Sequence, residues 1–118
     1  MKLLTTSVLI ASLAGLSPAF AHAFLVKANP AVGSTVSTAP AQLLMTYTEG
    51  LEVPFCSVTV TSASGTVVNG KPQGVPGHRN EMSVPLHITA SGTYGVTWHA
   101  VAVDTHHTQG SFKFTVSP

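Results

Sequence analysis

Across 118 residues the only cations are Lys2, Lys27, Lys71, Arg79 and Lys113, and the only anions are Glu49, Glu52, Glu81 and Asp104. A charge so sparse and so balanced excludes a nucleic-acid surface and electrostatic attachment to an anionic membrane. Cys56 is the one cysteine, so no intrachain disulfide can form, and the abundance of Gly, Pro, Ser and Thr favours short strands and turns over helices.

The chain opens with Lys2, an apolar run from Leu3 to Leu16, Ser17-Pro18, and then Ala19-Phe20-Ala21, the small-x-small form at which signal peptidase cuts. The run is shorter than the roughly 18–20 apolar residues that a membrane span needs. Residues 1–21 are therefore expected to be a cleaved signal peptide. The exported protein then begins at His22, leaving 97 residues, enough for one small domain over 22–118 that is not embedded in a membrane.

From His22 onward no helical period is sustained. Phe24 to Ala28 reads as a first strand, and Asn29 to Ser34 turns it. Leu43 to Thr48 is a second, ending in Glu49-Gly50, and Ser57 to Ser62 a third. Cys56 alternates with Val58 and Val60, which makes it a small core residue. Thr66 to Val68 is a short fourth strand, 69 to 80 a loop, and Glu81 to His87 a fifth, placed at a sheet edge by Pro85. In the sixth, Thr93 to Val101, Tyr94, Val96 and Trp98 share one face and belong to the core, with His99 opposite. Ser91 to Tyr94 resembles the tyrosine corner of immunoglobulin-like sandwiches. Gln109 to Val116 is the seventh, with Phe112, Phe114 and Val116 inward. Seven short strands imply an all-β, Greek-key β-sandwich or partly closed barrel.

Between the last two strands lies Val103-Asp104-Thr105-His106-His107. If this stretch is extended, the Asp104 carboxylate and His106 imidazole point the same way, roughly 6–7 Å apart along the backbone, and His107 points the other way. The alternative is that Asp104 accepts local backbone N–H bonds, as Asp does in turns. An N-terminal His22 offers an α-amine and Nδ1, which together close a six-membered chelate ring on a metal. Amine, imidazole, carboxylate and second imidazole make a mixed N/O set that suits one Cu(II) per chain in tetragonal geometry. Structural zinc prefers Cys or several His in tetrahedral array. The amine, with an ordinary pKa of about 7.7–8.0, must lose its proton to bind, so affinity should fall with pH.

His22-Ala23-Phe24-Leu25, Pro30 to Ser34, Gly92 to Trp98, Val103 to His106 and Gly110 to Val116 together resemble the CopC family of periplasmic copper-resistance proteins, in order and over nearly all of 22–118. The resemblance implies a cupredoxin-like or immunoglobulin-like β-barrel that binds Cu(II) in the periplasm. It implies ligands at His22, Asp104 and His106, with Glu49 matching an acidic position sometimes drawn as a further weak ligand. Copper would be exchanged with a transport partner of the periplasm or inner membrane. Some members also bind Cu(I) through a Met-rich loop, but here the matching stretch offers only Met82, with His78 nearby.

The expected function is thus a copper carrier or buffer in homeostasis or resistance, not an enzyme. One competing reading is a lytic polysaccharide monooxygenase, whose copper centre also uses an N-terminal His. It is disfavoured by the hard anionic donor Asp104 and by the few aromatics outside the predicted core. Another is a metal-free immunoglobulin-like interaction module, which would not require the Asp-Thr-His turn.

Overall fold

The computed structural model describes His22–Pro118, and the expected leader lies outside the described residues. Among the described residues eight strands form two four-stranded sheets. They are β1 (Leu25–Asn29), β2 (Thr35–Val36), β3 (Gln42–Tyr47), β4 (Ser57–Thr61), β5 (Gln73–Val75), β6 (His78–Pro85), β7 (Gly92–Val101) and β8 (His107–Val116). One sheet runs β1-β3-β6-β5 and the other β2-β8-β7-β4. Only β5–β6 and β7–β8 are hairpins within a sheet; every other connection crosses from one sheet to the other. All pairings are antiparallel except the short parallel contact of β2 with β8. Among the described residues no helix is long and apolar enough to cross a membrane.

Period-two alternation drives the packing. Leu43, Met45 and Tyr47 of β3 and Met82 and Val84 of β6 face Val58 and Val60 of β4, Tyr94, Val96 and Trp98 of β7, and Phe112, Phe114 and Val116 of β8. No polar or charged residue is buried among the described residues. Tyr94 stacks on Phe114, with ring centroids 5.7 Å apart, and its hydroxyl donates to the Ala90 carbonyl, which is the expected corner. Trp98 meets Tyr47 edge-on at 5.2 Å. Cys56 is buried as expected. Its sulfur accepts from Val101 N–H at 3.3 Å, and burial pushes the thiol pKa up, away from the thiolate.

The strand count differs from the expected seven for local reasons. Thr66 to Val68 makes only an isolated bridge, from Val67 to Thr61, because the Asn69 side chain satisfies the neighbouring edge of β4. Its Oδ1 accepts from Val60 N–H at 2.7 Å, and its Nδ2 donates to the Val58 carbonyl at 2.9 Å. The stretch read as loop contains β5 and the start of β6, joined at Pro76-Gly77, with Gly77 at φ +79°. A Pro-Gly turn between strands is a hairpin signal, masked here by the other glycines and prolines around it. Nor is β6 an edge strand. It lies between β3 and β5, and Pro85 is tolerated because it is the last residue, where its carbonyl accepts from Gly70 N–H. Two-residue β2 is too short for alternation to reveal.

Gly110 pairs with Trp98 across the β7–β8 ladder, and the indole lies over it. A Cβ there would fall 2.6 Å from Trp98 Cζ2 and 2.8 Å from Cε2. Gly110→Ala is therefore expected to force the indole out of its place and cost about 1–3 kcal/mol. A thermal midpoint within a degree of the parent's would refute that packing.

Candidate metal centre

The β7–β8 ladder runs in register to Val101↔His107, and the reversal beyond it carries Asp104 and His106. Of the two geometries open to this stretch, the structure shows the turn with local bonding to Asp104 and not the extended segment. Thr105 adopts φ +73°, its N–H donates to the Ala102 carbonyl at 2.8 Å, and Ala102 N–H donates to the His106 carbonyl at 3.0 Å. The turn, not strand alternation, brings Asp104 against His106. Asp104 Oδ1 accepts from the His106 backbone N–H at 3.1 Å, while Oδ2 lies 3.1 Å from His106 Nδ1. The His106 N–H is the main cause of an Asp104 pKa below its ordinary value, with the imidazole adding to it. One carboxylate thus caps the turn and contacts the ring, so the local role and the proximity to His106 coexist.

His22 reaches the same place from the other end of the chain. Its ring meets that of His106 edge-on, with centroids 4.9 Å apart, and that of Phe24 edge-on at 5.8 Å. His22 Nδ1 is buried and has no hydrogen-bond partner among the described residues. An orphaned buried nitrogen is costly unless something else occupies it. Two imidazole nitrogens each about 2.0 Å from one ion lie at most about 4 Å apart, a separation that rings this close can meet. Side chains alone do not complete a site: among the described residues no group of three or more His, Cys, Asp or Glu is arranged to hold a metal. Glu49 is half-buried beside Thr48, two residues after the end of β3.

The backbone around His22 is fixed by two threonines that the sequence does not signal. Thr48, just after β3, donates its hydroxyl to the His22 carbonyl at 2.8 Å and accepts from Phe24 N–H at 3.0 Å. Thr48 N–H donates to the Phe24 carbonyl at 2.9 Å. Thr108 of β8 donates to the Ala23 carbonyl at 2.7 Å, and Ala23 is fully buried.

The remaining candidates lie elsewhere. His107 and His87 are exposed, and His99 Nε2 is 2.6 Å from Gln109 Oε1 across the ladder. His78 is exposed, with Nδ1 3.7 Å from Glu81 Oε1, whereas Met82 and Met45 are fully buried in the core. A thioether so placed offers an ion no open approach.

What these features define is a two-sheet β-sandwich with a histidine pair where the segment before its first strand meets its last hairpin. The family model described as the CopC domain matches residues 25–117. Protein YobA of Escherichia coli (strain K12) is 34% identical over 122 positions, covering 98% of this chain and 90% of that protein. Copper resistance protein C of Xanthomonas campestris pv. juglandis is 32% identical, covering 95% of this chain and 93% of that protein. The crystal structure of PcoC, a methionine-rich copper resistance protein from Escherichia coli, matches at a TM-score of 0.73 and 30% identity, over 82% of this chain and 100% of that one. The chain belongs to the CopC family.

Left-handed φ at a β-branched residue is strained, by about 1–2 kcal/mol. Thr105→Gly should relieve it and raise the unfolding free energy by roughly 1 kcal/mol, while Thr105→Val should not. Denaturant titration checks this; a glycine variant less stable than the valine variant would contradict the turn geometry.

Proposed function

We propose that the exported chain, beginning at His22 after loss of residues 1–21, works in the periplasm as a carrier or buffer holding one Cu(II). The donors are the His22 amine and Nδ1, the Asp104 carboxylate and the His106 imidazole, with Glu49 a weaker fifth. The observation that carries this reading is the buried, unpartnered His22 Nδ1 beside the His106 ring. The copper-resistance names of relatives add support from outside the geometry. A mixed N/O set suits Cu(II), and the hard carboxylate disfavours Cu(I). His106 and Asp104 keep 39% and 40% of their side-chain surface exposed, which leaves room for a partner's ligands to displace them in turn. Exchange, not chemistry, is then the function, and the natural recipient is a copper-transport partner of the periplasm or inner membrane.

The monooxygenase alternative has little to rest on. Phe24 and Phe55 are the exposed large aromatics among the described residues, and they form no flat platform with Trp98, Tyr94 or Tyr47, all of which are core. With ascorbate, oxygen and a polysaccharide, the copper-loaded protein should release no oxidised sugar, as mass spectrometry of the soluble products would show.

The decisive comparison is between protein that starts at His22, its terminus verified by mass, and protein retaining one residue before it. The first should give a nitrogen-rich tetragonal EPR signal at one Cu(II) per chain and the second should bind at least about 100-fold more weakly, since its first nitrogen is an amide. Equal affinities would sink the terminal chelate. His106→Ala should weaken binding strongly and His107→Ala hardly at all.

A further inference from the structure

We infer that Thr48 and Thr108 are positioning residues for the metal site, holding the first three residues of the exported chain so that His22 is set against His106 before any ion arrives. This rests on the reading of His22 as a copper ligand.

A chain terminus is ordinarily the least ordered part of a domain. Ordering it at the moment of binding would cost roughly 1–2 kcal/mol per residue and weaken the site accordingly. Here three successive residues are already fixed by side chains from both sheets. Thr48, at the end of β3, bonds residues 22 and 24 through one hydroxyl that donates to the first and accepts from the second. Its own N–H takes the Phe24 carbonyl, so the segment is tied as though it extended the β1–β3 pairing. Thr108, at the second position of β8, takes the remaining carbonyl, that of Ala23. It sits two residues beyond His106, so the hairpin that carries one imidazole also holds the residue next to the other. Fully buried Ala23 fills the gap beneath, and the His22 ring is left facing His106. Neither threonine need touch the ion; each acts through the backbone that bears a ligand.

The test uses protein exported with its own leader and recovered with His22 at its start. Cu(II) affinity is measured by competition with a chelator for Thr48→Val, Thr108→Val, the matching serine variants, and each valine variant combined with His22→Ala. Each valine substitution keeps volume but removes the hydroxyl, and should weaken binding about tenfold or more through faster release. Serine should restore affinity to within about threefold. In the His22→Ala background only the terminal amine is left to position, so the valine changes should cost clearly less there, whereas general damage to the fold would persist undiminished. In metal-free Thr48→Val protein the Phe24 amide should exchange with solvent faster, a readout independent of copper. If the valine proteins bind like the parent while His22→Ala binds weakly, the clamp is wrong and the site stands. If His22→Ala itself binds like the parent, the site reading fails and the clamp's purpose with it. Equal losses in both backgrounds would reduce the threonines to a structural role.

Discussion

The β7–β8 ladder is the constraint on which the rest of the molecule depends. Each strand is ten residues long, and their pairing runs unbroken from Gly92↔Val116 to Val101↔His107. A ladder without slip fixes every inward side chain of the second sheet, because a shift of one residue would send Tyr94, Val96, Trp98, Phe112 and Phe114 to solvent. It also fixes where the hairpin closes. The turn at 102–106 is short, so the core's register fixes where Asp104 and His106 lie, and the turn's own hydrogen bonds set one against the other. The same ladder presents Thr108 toward the chain's first residues, which makes the hairpin the support for both halves of the candidate site.

Much of this was legible because it is periodic. Tyr94-Val96-Trp98 and Phe112-Phe114-Val116 announce β7 and β8, and Leu43-Met45-Tyr47 announces β3, since a half-buried strand must alternate. What escaped has no period to show. Two-residue β2 cannot alternate, and β5 hides in a stretch whose glycines and prolines resemble loop. Asn69 replaces a strand with a single side chain, a substitution of one hydrogen-bonding partner for another that composition does not register. Pro85 misled because the rule against proline concerns a strand's interior ladder, and this one closes the strand.

The site divides in the same way. His22, Asp104 and His106 stand out as residue types, and His22 and His106 do come together. Their relation was less readable. An extended Asp104–His106 stretch would bring the two side chains to one face by alternation, yet the chain reaches contact by reversing through a left-handed Thr105. The Thr48 and Thr108 contacts join residues 26 and 85 positions apart through hydroxyl–carbonyl bonds. Nothing in sequence distinguishes such a threonine from any other on a strand. The absent thioethers were partly foreseeable, and the fold supplies the reason: Met45 and Met82 pair across β3 and β6 and fill the core, so they are spent on packing.

On the proposed reading the site is assembled in two stages governed by different chemistry. Folding sets two imidazoles together and one carboxylate against the second of them. Side chains alone, however, make no set of three metal-holding groups among the described residues, and Asp104 already divides its oxygens between a backbone N–H and His106. The remaining nitrogen must come from the main chain, and a peptide nitrogen, its lone pair delocalised into the carbonyl, is a poor donor while it keeps its proton. Only hydrolysis of the bond before His22 converts it to an amine. On that reading metal competence is tied to export: while residues 1–21 remain attached the His22 nitrogen is an amide and the chelate ring does not close, so tight copper binding follows removal of the leader.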